Sequence, residues 1–180
     1  MTFRVHFYAE QAFLAQTKVM LENPQNDEQQ AAVSALCILA CASAIEAFVN
    51  SLLAKTVKFR HFDELKIISK IEYLLLHGGN EPNWGVEPWQ SVGQLIRSRN
   101  WLTHFKEHDI GLTNSDAEWL SDSHNKAPKI DPFKELTFAQ SRKYYDQTRQ
   151  ALEILAESAG AEEYEFEFLR SENYDPFLVG

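Results

Sequence analysis

Cysteine is nearly absent: the 180-residue chain holds two, Cys37 and Cys41. They lie four apart in one apolar stretch, a poor geometry for a disulfide. They read as small buried thiols in a packed helix, and nothing in this usage points to an oxidising compartment. Strand signals are missing too, since before the C-terminal tail no alternating β-branched run bounded by turns interrupts the helical periodicity. The first residues, Met1-Thr2-Phe3-Arg4, lack the apolar core of a secretory signal, so a cytoplasmic protein is expected. Only residues 31–49 have the length of a membrane span. They are mostly Ala, Ser and Cys, with Glu46 inside. Alanine gives little drive for insertion and a central carboxylate opposes it, so a buried helix is expected and no membrane partner.

Basic charge is also scarce. The chain has 17 Lys and Arg against 26 Asp and Glu, a net charge of −9. That sum argues against a nucleic-acid partner, but its distribution weakens the argument. Residues 160–180 hold Glu162, Glu163, Glu165, Glu167, Glu172 and Asp175 against one base, Arg170. More than half of the net charge therefore sits in this acidic tail, and a local basic cleft elsewhere can still bind RNA. Apolar residues at 44% and charged residues at 24% are ordinary globular usage, and the length suffices for one domain with a core. There is no internal repeat and no low-complexity region.

Apolar spacing predicts helices over 3–22, 27–56, 63–77, 88–106 and 137–158. Phe7, Leu14 and Leu21 form one stripe of the first, and Pro24 closes it. Asn26 or Asp27 caps the second. Its alanines (Ala31, Ala35, Ala40, Ala42, Ala44) allow neighbours close, and its all-round apolar character places it mid-bundle. The third uses Leu65, Ile68, Ile71 or Glu72, and Leu75, and stops at Gly78-Gly79. The fourth opens at Pro88, with Trp89, Val92, Leu95, Ile96 and Leu102 on its apolar side. The fifth opens with the capping box Thr137-Phe138-Ala139-Gln140, buries Tyr145, Thr148, Leu152 and Leu155, and ends at Gly160. The expected fold is an all-α antiparallel bundle of four to five helices over 1–159, followed by the tail 160–180. Residues 107–136 carry few signals beyond a capping box at 115–118, and so long a connection is often functional.

The chemistry concentrates in Arg99-Asn100-Trp101-Leu102-Thr103-His104. Asn100 and His104 are four apart and share a helix face. Arg97 precedes His104 by seven residues on the same stripe, while Arg99 is rotated from it by roughly 140°. Both arginines are candidates to serve His104. A neutral imidazole can take the proton of a ribose 2′-hydroxyl. A guanidinium offers paired donors to a phosphate gaining charge, and an asparagine orients either. These types suit phosphodiester cleavage by the 2′-oxygen, giving a 2′,3′-cyclic phosphate and a 5′-hydroxyl, with no metal or cofactor. Transfer wants both a base and an acid, yet the cluster has one obvious histidine. A two-fold homodimer that joins two clusters is therefore expected.

Other residues bear on this site. Glu46 and Asn50 are four apart on one face of the second helix. A carboxylate buried there needs a partner, and Arg97 or Arg99 is the candidate. Lys55, Lys58 and Arg60, near His61, and Lys106 are candidates for RNA-backbone contact, against the simpler reading of a solvated helix end. Trp84, Trp89 and Trp101 are able to stack bases, though packing explains them more simply. His104-Phe105-Lys106-Glu107-His108 also matches a His-x-x-Glu-His zinc pattern, but enzymes that use it are far larger and a third ligand is not evident.

Arg99 to His104 resembles the RNase motif of the HEPN superfamily: arginine, four to six residues, then histidine, often with a polar residue straight after the arginine. Ala44-Ile45-Glu46-Ala47-Phe48-Val49-Asn50 is similar to a second HEPN feature, a small-residue helix with an acid and a polar residue facing the site. The resemblance covers about 29–106. It implies a dimerising helical bundle whose members include metal-independent endoribonucleases of toxin–antitoxin, phage-defence or RNA-processing systems, some regulated by an antitoxin or other protein. Others only bind nucleic acid. Carried over, Arg99 stabilises the phosphate, Asn100 orients, His104 is the acid/base, and Glu46 and Asn50 are accessory. Lys106 stands where a common toxin subgroup has tyrosine. The rival readings are a non-catalytic module that binds RNA, a nucleotide or a protein, and a structural bundle whose Glu–Arg pair fixes register.

Overall fold

Thirty residues from Asp27 to Thr56 form one unbroken helix. No glycine or proline interrupts them, and Ala, Leu and Gln favour the conformation. The computed structural model describes residues 9–23, 27–56, 61, 64–103, 136–162 and 169. Among these the secondary structure is five helices with no strand: α1 (Ala9–Glu22), α2 (Asp27–Thr56), α3 (Ile67–His77), α4 (Trp89–Thr103) and α5 (Phe138–Ser158). The fold is all-α, as expected. Phe7, Pro24, Asp63 and residues 104–135 lie outside the described set.

One side of α2 supplies the centre of the core. Cys37, Ile38, Cys41, Ala44, Ile45, Val49 and Leu53 are buried there at the 3–4-residue spacing of a helix face. α1 lies antiparallel against it. Thr17 Oγ1 donates to the Phe13 carbonyl at 2.8 Å and receives the Cys41 thiol at 4.0 Å. At the other end, Lys55 of α2 acts on the buried Glu10 of α1. α5 runs the same way as α2: Arg142 acts on Cys37, and Thr148, further along, acts on Cys41. Arg142 also donates to the Leu21 carbonyl at the end of α1, at 3.4 Å. Burial pushes the Cys37 thiol up to about 11 and the Cys41 thiol up to about 12. Both are therefore the buried, protonated thiols expected.

All-round burial of α2 is not what the structure has. Leu36 is 54% exposed on its outer side. A 30-residue helix is about 45 Å long, and its shorter neighbours cover different parts of it. Residues Gln29–Thr56 are long and apolar enough to cross a membrane by length and composition, but half of the apolar window is buried inside the bundle.

α3 also departs from its expected pattern. It begins at Ile67, four residues later than predicted, after an extended Lys66. Its buried residues are Lys70, Ile71, Leu74 and Leu75, whereas Leu65 is exposed. Its end is fastened to the end of α5. A Cβ at Gly78 would sit 2.5 Å from the Ser158 carbonyl oxygen, so only glycine permits this approach, and Asn80 Nδ2 donates to Ser158 Oγ at 2.9 Å. Both helices close alike, with left-handed Gly79 (φ 76°) and Gly160 (φ 66°) and a following amide bonded back across the turn.

Glu87 fixes the start of α4. It accepts the Ser91 amide at 3.1 Å and the Lys143 ammonium of α5 at 2.9 Å. Trp84 packs edge-on to Trp89 with ring centroids 6.1 Å apart, lies against Gly93, and donates to Glu72 at 3.1 Å. These two tryptophans anchor the 80–88 loop. Within the tail, Leu169 is buried against the core and its carbonyl accepts from Arg149.

Candidate functional site

Helix geometry separates α2 into two sides. Glu46 lies five residues from Cys41, about 140° around the axis, and Asn50 lies nearly opposite Cys41. The two therefore face outward, toward α4 and α3. From α4, Arg99 Nη2 meets Glu46 Oε2 at 3.4 Å, and Arg99 Nη1 donates to Asn100 Oδ1 at 3.2 Å. From α3, Lys70 Nζ donates to Asn50 Oδ1 at 2.8 Å. Three helices thus bring Glu46, Asn50, Lys70, Arg99 and Asn100 into one polar cluster.

The cluster is partly open to solvent. The Arg99 side chain is 38% exposed and that of Glu46 47%, and Asn100 is exposed. The buried carboxylate expected in α2 is therefore half-solvated, because α4 covers only one flank of it. A pair this exposed contributes about 0–1 kcal/mol to stability. Lys70 differs, at 3% exposed. A buried ammonium needs compensating hydrogen bonds, and Asn50 supplies one. Lys70 and Arg99 bring two cationic groups to the cluster within an acidic chain, and such groups suit an anion.

The expected residues divide into three groups. Arg99, Asn100, Glu46 and Asn50 come together. Arg97 does not join them: it is exposed and lies about 160° around α4 from Arg99. Lys55 is exposed and stands about 140° around α2 from Asn50, nearer Glu10 than the cluster. His104, Lys58, Arg60 and Lys106 lie outside the described residues, as does the zinc-like pattern 104–108, and no group of potential metal ligands occurs among the described residues. Nearby, His61 Nδ1 pairs with Glu64 at 2.7 Å on the surface. The sequence reading missed Lys70. Its one signal was position, three residues after Ile67 and four before Leu74 on the side that turns inward. The chain matches no protein-family model, no curated protein and no solved structure.

Proposed function

We propose that the chain is a metal-independent endoribonuclease of the HEPN type, a cytoplasmic protein acting as a homodimer on RNA. The observation that carries this reading is the meeting of Arg99 and Asn100 with Glu46 and Asn50 on a half-exposed face of an otherwise apolar helix. In this proposal Arg99 neutralises the charge gained by the phosphate. His104, one residue beyond α4, takes the 2′-hydroxyl proton or protonates the 5′-oxygen. A second copy supplies the complementary group, and an antitoxin or another regulatory protein is the expected restraint. One observation favours the non-catalytic alternative: the Glu46 carboxylate already occupies the Arg99 guanidinium and competes with a phosphate for it.

Incubation of single-stranded RNA with the purified protein in EDTA tests the proposal. Wild type is expected to leave 2′,3′-cyclic phosphate ends. His104→Ala and Arg99→Ala are expected to slow cleavage by roughly 100-fold or more, the scale of a lost acid/base or charge-stabilising group. Arg97→Ala is expected to stay close to wild type. An inactive wild type removes the enzyme reading, and binding without cleavage selects the non-catalytic module.

A further inference from the structure

Asn50 and Asn100 are each held by a cation that can only donate. Ammonium and guanidinium groups have no hydrogen-bond acceptor. Lys70 must therefore meet the oxygen of Asn50, and Arg99 the oxygen of Asn100, as the 2.8 Å and 3.2 Å contacts have it. An amide's oxygen and nitrogen are alike in shape, but here the partner's chemistry decides which end is which. The Nδ2 group at the far end of each amide is left facing away from its cation. Among the described residues, neither Nδ2 donates to a protein acceptor.

We propose that Lys70 is a positioning residue that turns the Asn50 amide so that its Nδ2 donates to a phosphate of bound RNA. Arg99 sets Asn100 in the same way from the other helix. The inference rests on the RNA reading above and names one more residue for that site. Its physical basis is the unusual place of Lys70. The residue is 3% exposed on the inward side of α3 beside Ile71 and Leu74, where an apolar side chain would pack without desolvating a charge. What lysine adds there is an obligate donor aimed at Asn50. Glu46, one turn before Asn50 on α2, holds Arg99, so the two oriented amides flank the Glu46–Arg99 pair.

The test uses the full chain and a single-stranded 2′-O-methyl RNA oligonucleotide, which lacks the 2′-nucleophile, so binding is read apart from cleavage. In the double variant Lys70→Met/Asn50→Leu both partners become apolar, a change that is close to neutral for folding. Asn50→Ser removes the amide while leaving Lys70 a hydroxyl acceptor, and serves if the double variant does not fold. Both are expected to keep the wild-type melting temperature and to bind about tenfold more weakly, the worth of one hydrogen bond to a charged group. The slope of affinity against salt is expected to stay at its wild-type value, because no phosphate-contacting cation is lost. A folded variant that binds like wild type overturns the inference and leaves the RNA reading standing. A slope reduced by about one unit means that Lys70 touches phosphate itself, which overturns the positioning role. Absence of binding by wild type overturns the RNA reading, and this inference with it.

Discussion

The two sides of α2 both carry polar groups, but of different kinds. Toward α1 and α5 they are small and uncharged: Ser34, Cys37 and Cys41 against Thr17, Ser141 and Thr148, all at zero exposure. Toward α3 and α4 they are long, and they pair as Glu46 with Arg99 and Asn50 with Lys70. The first group is what close helix packing tolerates. Hydroxyls and thiols are small enough to let backbones approach, and one of them, Thr17, closes on a carbonyl of its own helix. Packing does not require the second group, since alanine or leucine would fill the same outer positions. Polarity alone therefore does not mark a site. A better mark is charge that pairs between elements, meets solvent, and leaves oriented donors over.

The largest expected effect belongs to the packed side. Ile45 is fully buried there, and Ile45→Ala is expected to cost about 2–5 kcal/mol, read from urea unfolding. RNA binding per folded molecule should not change. Loss of RNA binding by the folded variant, at an unchanged unfolding midpoint, would erase the distinction between the two sides.

The outer side is expected to behave in the opposite way. Glu46→Gln breaks a half-exposed pair, so its stability loss should stay under about 1 kcal/mol. Cleavage of RNA should nevertheless fall about tenfold or more, because Arg99 loses the group that holds it in place. If stability falls by more than about 2 kcal/mol while RNA cleavage is unchanged, the pair is a register device of the bundle and nothing else.

How much of this was legible in the amino-acid order depended on which forces decide each feature. α5 was readable to within a residue or two because local rules end it. Thr137 accepts the Gln140 amide at 3.2 Å, and Gly160 adopts the left-handed turn. An arginine partner for Glu46 was anticipated, but from a burial that Glu46 does not have, since its side chain is 47% exposed. Which arginine answers it was not readable, because the rotation of α4 against α2 is set by tertiary packing. The buried side of α3 was read in part, through Ile71 and Leu75, and Lys70 and Leu74 were missed for a related reason. A lysine sorts outward on any hydropathy argument, so a stripe through Lys70 and Leu74 lost to one through Leu65 and Ile68. The open outer side of α2 was hidden by alanine, which suits exposed and buried positions alike.

The smallest effect gives the sharpest control. Glu87–Lys143 resembles Glu46–Arg99 in linking two helices with half-exposed side chains, but among the described residues no side-chain amide is bonded to either member. Burial alone would raise the Glu87 carboxyl. The hydrogen bonds from Lys143 and Ser91 outweigh that and hold it below its ordinary value. A carboxyl lowered in the folded state stabilises the fold above its unfolded value of about 4.5, and this contribution is lost as the pH falls through the lower folded value. Glu87→Gln should therefore cost at most about 1 kcal/mol at pH 7. The difference from wild type should close as the pH drops below 4.5, and it should shrink in 1 M salt. RNA binding and cleavage should be unaffected. An equal loss of cleavage in Glu87→Gln and Glu46→Gln would show that any exposed ion pair in this bundle matters as much as the one at the cluster.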